Sequence, residues 1–500
     1  MIIHEPEHSF VCQSVAMHVV FITLDQFRAD ALSCAGHDLV KTPNLDRLAQ
    51  RGVRFANHYA QAAPCAPGRA SLYTGMYQMH HRVVANGSPL EHRFDNIARA
   101  ARRAGYTPAL FGYTDQGIDP SIVESAEDPR LDTYEGILPG FELIVELDGR
   151  QAEWVDALRQ LGYEVESGMQ GLATESERPA SLSVSAYLVD QLLSWLSRQQ
   201  GEVFVHASFI RPHPPYAAAG EYATMYDPSE MPTPISPADE RHGLHDIALT
   251  LPGIAAPVGE GEMSALMAQY YGMVSEVDAQ VGRILDALEE QGMLEHTIVV
   301  VTSDHGEQLG DHGLLEKLGF FEQSYRIPLI IADPLRPEAH GTVVTAFTEA
   351  VDVMPTLLEL LDLPPSSQCD GQSLVKFLQG EVPTSWRSAA HYEWDWRYLL
   401  VGPNRIGGEI NPTLRKCNLV VLRTSTHALV AFGDGETLCF DLATDPTWRT
   451  KELDAFVETD LLRQMFAWRS QFLGGAYTDL LLAPDRPGRW PALPIPTEAG

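Results

Sequence analysis

The sequence predicts an α/β protein: a doubly wound, mainly parallel sheet flanked by helices, followed by a smaller C-terminal antiparallel-sheet subdomain. Three observations predict it. Apolar, β-branched runs at residues 18–24 (HVVFITL), 203–209 (VFVHASF) and 297–302 (TIVVVT) read as strands buried on both faces. Helical patterns lie between them, the alternation expected of a doubly wound sheet. Polar clusters follow the strands, at the edge where open α/β sheets place functional residues.

Taken in order, the first strand ends at Asp25-Gln26, and Leu45, Leu48 and Ala49 then recur at helical spacing. Residues 92–105 form a further helix closed by Gly105, leading to a short strand with Tyr113 at its exit. Residues 119–180 read as a polar, acid-rich insertion with one helix near 152–161. The strand at 203–209 is followed by Arg211-Pro-His213-Pro-Pro. Tyr270, Met273, Val274, Val277, Val281, Ile284, Leu285 and Leu288 define a long amphipathic helix ending near Gly292. The next strand ends at Ser303-Asp304-His305-Gly306, and Ile327–Ile331 is one more. Beyond about residue 380, shorter alternating pieces at 418–424, 427–432 and 437–442 suggest the antiparallel subdomain, followed by a helix near 452–472 and a Pro-rich tail. The expected division is an extension at 1–17, a main α/β domain at 18–380, and a C-terminal subdomain and tail at 381–500.

With 35 basic against 67 acidic residues, the formal net charge is −32. No basic stripe is available for a nucleic-acid backbone or an anionic membrane. The first 25 residues lack the basic start of a signal peptide, and the apolar run from Val19 to Leu24 is too short to span a bilayer. Six cysteines without paired spacing fit a reducing cytoplasm, the expected location.

Two carboxylates, an amide and an imidazole in Asp25-Gln26 and Asp304-His305 suit one divalent cation, with Ca²⁺, Mg²⁺ or Mn²⁺ ahead of Zn²⁺. Cys65 precedes Pro67, and residues 68–74 can continue as a helix to Gly75. Arg69, four residues on, shares a face with Cys65, so the helix start suits an anionic substrate; a buried structural cysteine beside a surface arginine is the bland alternative. His58, His80, His81 and His92 are expected in surface or capping roles. The cluster Tyr392, Trp394, Trp396 and Arg397 fits a substrate mouth or oligomer contact as well as it fits core packing.

Cys65-Ala-Pro-Gly-Arg69, with the Leu-Tyr-Thr-Gly75 that follows, resembles the signature of type I sulfatases in the alkaline phosphatase superfamily. ITLDQFRAD near the start, TPNLDRLA at 42–49, SDHGEQLGDHGLLEK at 303–317 and DLATDP at 441–446 extend the resemblance over most of the chain. It implies that Cys65 is converted to formylglycine by a maturation enzyme. It also implies that Asp25, Gln26, Cys65, Asp304 and His305 hold one divalent ion, Ca²⁺ or Mn²⁺ first and Mg²⁺ or Zn²⁺ next. Arg69 then supports the nucleophile, Lys317 contacts the transferred group, and His213 lies near the leaving oxygen.

Asp25-Gln26 stands where the commonest sulfatase pattern has Asp-Asp, and Gly68 where most sulfatases have Ser or another small residue. Both look more like the phosphonate monoester hydrolase branch and its arylsulfatase relatives, which also match Asn86 and Tyr113. That branch has Thr where this chain has Asp115, next to Thr114, so Asn86, Tyr113, Thr114 and Asp115 are the expected substrate-binding residues; Asp115 pointing to solvent is the alternative. The implied activity is hydrolysis of sulfate monoesters, promiscuous toward phosphonate monoesters and phosphodiesters; the alternative makes phosphonate monoester or phosphodiester hydrolysis primary. A small anionic ester, no nucleic acid, no membrane, and a homodimer or homotetramer complete the expectation. Two rivals differ in class: a two-metal phosphatase with a Ser or Thr nucleophile, and a non-catalytic binding protein on the same scaffold.

Overall fold

The computed structural model describes residues 17–473 apart from 132, 134, 398 and 400–411. The Pro-rich tail and residues 1–16 of the extension lie outside the described residues. Eight strands form the main sheet: β1 (His18–Leu24), β2 (Val53–Tyr59), β3 (Ala109–Gly112), β4 (Glu142–Glu146), β5 (Phe204–Phe209), β6 (Thr297–Thr302), β7 (Leu329–Ala332) and β8 (Thr342–Glu349). Their order is β4-β3-β5-β1-β6-β7-β2-β8, and only β7 runs against its two neighbours. The doubly wound, mainly parallel architecture is therefore as the sequence predicts.

Alternation along β1 shows why both faces must be covered. Val20, Ile22 and Leu24 join one core with Met273, Val277 and Ile284 of the long helix Glu262–Glu290. Val19 and Phe21 join another, with Ala66, Ala70 and Leu72 of the helix Cys65–Thr74. The second sheet is antiparallel, in the order β12-β11-β10-β9, built from β9 (Ala389–Asp395), β10 (Asn418–Thr424), β11 (His427–Phe432) and β12 (Thr437–Asp441). Its first strand carries Tyr392 and Trp394 of the aromatic cluster, and the structure decides for core packing of its rings: Tyr392, Trp394 and Trp396, just beyond the strand, are buried, and Tyr392 stacks on Tyr325. The helix Ala455–Phe472 closes the described chain. None of the described helices is long and apolar enough to cross a membrane.

The segment 119–180 is more than an insertion. It supplies the edge strand β4, paired with β3, and Glu175, whose carboxylate binds buried Arg211 at 2.8 Å from Nε. Beside this pair sits Glu276, with the Ser183 and Ser185 hydroxyls donating to its two oxygens at 2.7 and 2.9 Å. Burial, with Glu175 adding to it, pushes the Glu276 carboxyl up to about 7. The folded chain thus keeps a proton that the unfolded chain has released, so this group's contribution to stability declines as pH rises from its ordinary range to about 7. Glu276→Gln removes that slope. Thermal unfolding is expected to show the variant gaining on the wild type at pH 8, by at most about 3 kcal/mol, with the gap shrinking toward pH 5. A gap independent of pH would refute the assignment.

Candidate functional site: a buried cluster at the carboxyl edge

Four neighbouring parallel strands, β3, β5, β1 and β6, end at the same edge. Their exits deliver Tyr113 to Asp115, Arg211 to His213, Asp25-Gln26 and Ser303 to His305 to one place. Thr23 pairs with Thr302, so Asp25 and Asp304 leave adjacent strands two residues later. Two of the exits have unusual backbone: Gln26 has φ 66° and Asp115 has φ 54°, left-handed conformations that non-glycine residues adopt at a cost. The cost is accepted where it aims a side chain.

Cys65 begins a wholly buried helix that ends at Thr74 with left-handed Gly75 beyond it. The Asn86 side-chain oxygen accepts from Ala66 N at 3.0 Å, capping the helix one residue after Cys65. A Cβ at Gly68 would lie 2.5 Å from the Asp304 carbonyl oxygen, so glycine is what lets this helix press against the end of β6. That is the physical reason for Gly68 in place of serine in this chain.

The ligand atoms of Asp25, Cys65, Asp304 and His305 lie within 4.8 Å of one another, and all four residues are buried. His305 Nε2 is 3.2 Å from Cys65 Sγ and 3.8 Å from Asp25 Oδ1. The His305 Nδ1–H donates to Gly306 O at 3.0 Å, which leaves the Nε2 lone pair facing the cluster. Burial lowers the His305 pKa, so the ring is neutral as a ligand must be. Burial alone would raise the Asp25 carboxyl, but the positive charges beside it, Arg69 and Lys317 among them, hold it well below the usual carboxylate range. Two carboxylates, one neutral imidazole and the residue at 65 fit a hard or borderline divalent cation. By contrast, burial and Asp25 push the Cys65 thiol up, so an unmodified thiol here is a poor nucleophile.

Arg69 is turned inward. It is fully buried, and its Nε donates to Asp304 Oδ2 at 2.8 Å while NH2 donates to Asp25 Oδ2 at 3.0 Å. NH1 donates to Ser208 Oγ at 2.8 Å, and the guanidinium lies 4.4 Å from the centre of the Tyr113 ring. Its guanidinium clamps the two carboxylates together, and Lys317 is the other cation beside them. Lys317 Nζ donates to Gln26 Oε1 and to His213 Nε2, both at 2.9 Å, and pairs with Glu316 at 3.3 Å. His213 Nδ1–H donates to Pro214 O at 2.6 Å, consistent with an accepting Nε2, and burial with Lys317 lowers its pKa.

Tyr113 donates its hydroxyl to Asp25 Oδ2 at 2.6 Å. Asp115 does not point to solvent: it is 4% exposed, with Oδ2 3.6 Å from Arg69 Nε. Burial outweighs Arg69 and pushes its carboxyl up to about 8. Thr114 is placed differently from the rest. Its hydroxyl donates to Gly136 O and accepts from Leu138 N, both at 2.8 Å, so it ties a loop down. Of the four histidines near Cys65, His58 and His81 are buried rather than superficial, bonded to Thr348 and Ser71, and neither belongs to the ligand cluster. Sequence reasoning missed Glu307, Tyr216, Ser208 and Glu316. Glu307 stands two residues after His305 in the same motif, and that spacing was the available signal.

Fold and site together define a class: an α/β protein with a buried cluster that could hold a cation, facing a residue at a helix N-terminus. Residues 17–363 match the sulfatase family. The chain belongs to the sulfatase family, whose members use a metal ion and a formylglycine. It is 36% identical over 463 residues to a multifunctional alkaline phosphatase superfamily protein, PehA, of Trinickia caryophylli, covering 86% of this chain and 90% of the other. It is 30% identical over 411 residues to an arylsulfatase of Clostridium perfringens, covering 75% and 81%. Among solved structures, a phosphonate monoester hydrolase of Agrobacterium radiobacter superposes with a TM-score of 0.85 at 38% identity, covering 95% of this chain and all of that one.

Proposed function

We propose that the chain is a formylglycine-dependent hydrolase of sulfate monoesters, active also on phosphonate monoesters and phosphodiesters. The observation that carries the reading is the placement of Cys65 Sγ inside the cluster of Asp25, Asp304 and His305, opposite the Lys317–His213 pair. Cys65 Sγ stands where an oxygen of the hydrated aldehyde would lie. When bound, a divalent cation, Ca²⁺ or Mn²⁺ foremost, lowers the pKa of such a hydroxyl and neutralises charge on the ester. Hydrated formylglycine at position 65 would offer two hydroxyls on one carbon, one as the nucleophile and the other as the means of regenerating the aldehyde.

The chain's own residues do the rest. Asn86 holds the first helical turn that presents residue 65. Arg69 keeps Asp25 and Asp304 in register. Lys317 places a fixed positive charge where negative charge grows on the transferred group. The Lys317–His213 hydrogen bond provides a proton to the departing oxygen, from either partner of the pair. Sulfate monoesters, phosphonate monoesters and phosphodiesters each bear a single negative charge, the common denominator one lysine can match. The reading includes a maturation enzyme that oxidises Cys65, a homo-oligomeric assembly and a cytoplasmic location.

The second reading makes phosphonate monoesters or phosphodiesters primary. It is favoured by Asn86, Gln26 and Tyr113, which fit that branch, and by the superposition at 38% identity. A panel of aryl sulfate, phosphonate and phosphodiester substrates decides between them. The first reading expects the aryl sulfate to have the highest kcat/KM. Asp115→Thr is expected to shift the ratio toward phosphonate; an aryl sulfate kcat/KM far below that for phosphonate makes the second reading the right one.

A further inference from the structure

The Gln26 side chain lies between two groups that leave its amide no choice of orientation. On one side Lys317 Nζ, which can only donate, meets the amide oxygen at 2.9 Å. On the other, the amide nitrogen donates to Glu307 Oε2. Glu307 is fully buried and receives four donors. Its Oε2 accepts from Gln26 and from the Tyr216 hydroxyl at 2.9 Å, and its Oε1 accepts from Leu309 N at 2.8 Å and Glu316 N at 2.7 Å. The Gln26 amide and the two main-chain N–H groups meet Glu307 as donors, so it faces each of them as an acceptor.

These contacts join three parts of the site. Tyr216 ends the segment that carries His213, Glu316 precedes Lys317, and Gln26 follows Asp25. We propose that Glu307 is a positioning residue: it fixes the Gln26 amide with its oxygen toward the cation and its nitrogen away, while anchoring the His213 and Lys317 loops. An aspartate or glutamate at 26 would face the Glu307 carboxylate; an amide there meets it as a donor. The residue types at 26 and 307 are therefore a matched pair. This inference rests on the reading that Gln26 is a cation ligand.

The test is a double-mutant cycle on the full-length protein, stripped by chelation and titrated with Mn²⁺ and with Ca²⁺ by calorimetry. Glu307→Gln offers Gln26 a partner that can donate as well as accept, so Lys317 alone is left to hold the amide's orientation. Its Mn²⁺ affinity is expected to fall about tenfold or more, as for other outer partners of metal ligands. In the Gln26→Glu background both side-chain atoms at 26 are oxygens, so the same change is expected to cost less than about threefold. An equal loss in both backgrounds reports only the charge removed and overturns the inference. Gln26→Ala is the separate control: if it leaves cation affinity unchanged, the ligand reading itself fails, whatever Glu307 does. Should Glu307→Gln not fold, Gln26→Glu alone carries the test. Two facing carboxylates are expected to lower Tm of the stripped protein below wild type, and an unchanged Tm overturns the pairing.

Discussion

Cys65→Ala is expected to leave a folded protein that has lost at least about 10³-fold in kcat for an aryl sulfate, since removal of a nucleophile takes away the step every other group serves. The side chain is buried, but only a sulfur is deleted, so Tm is expected within a few degrees of wild type. Cys65→Ser is the more telling companion. A serine supplies attack without the second hydroxyl, so one turnover followed by arrest is expected rather than steady hydrolysis. Mass measurement of the peptide containing residue 65, from a host with the maturation enzyme, should show an aldehyde in place of the thiol. Full steady-state activity in the serine variant would sink the formylglycine mechanism and favour the two-metal phosphatase. An unmodified thiol in fully active protein would be equally damaging.

Arg69→Ala has the second largest expected effect, and it falls on stability as well as on rate. The substitution leaves Asp25 and Asp304 buried without the partner that binds both. Uncompensated buried charge costs about 3–5 kcal/mol, so the cation-free variant should unfold at a clearly lower temperature. A saturating divalent cation binds the same carboxylates and should recover much of that loss. The rate is not expected to recover, because Arg69 also fixes the angle at which the carboxylates meet the ion; a fall of about 10²-fold in kcat/KM should persist. Arg69→Lys keeps the charge but cannot span Asp25, Asp304 and Ser208, so it should lie between the two. Equal Tm for wild type and Arg69→Ala without cation would refute the clamp.

The parts of the fold legible beforehand were those whose burial is symmetrical. β1 and β6 carry unbroken apolar runs because helices cover both faces, and their exits therefore drew attention to Asp25 and Asp304. β2 and β8 were not legible. VRFANHY and TVVTAFTE interleave polar residues, because one side of each is less deeply covered near the sheet edge. β4 hid in a polar segment for the same reason, as its five residues begin and end with an exposed glutamate. The antiparallel sense of β7 has no local signal; it is set by where the chain enters.

Within the site, the residue types at 25, 65, 304 and 305 could be named from motifs alone, and they do converge. Their partners could not. The same-face rule links Arg69 to Cys65 along one helix but says nothing about which strand ends it will meet. Whether Asp115 faced solvent or the cluster turned on one left-handed backbone angle, invisible in the residue type. Glu307 could be noticed from its spacing to His305, but not its role, since two of its four donors lie 91 and 281 positions away.

The contact at Gly68 has a wider meaning. Because the helix that starts at Cys65 rests directly on main-chain atoms of Asp304, the spacing between the reacting residue and the cation is built into the skeleton of the molecule. Side chains elsewhere around the opening are free of that duty. Asp115, 3.6 Å from Arg69 and outside the ligand cluster, belongs to a rim that can change around this fixed interior. A scaffold of that kind can acquire new substrates by changing its rim one residue at a time, without having to rediscover its chemistry at each step.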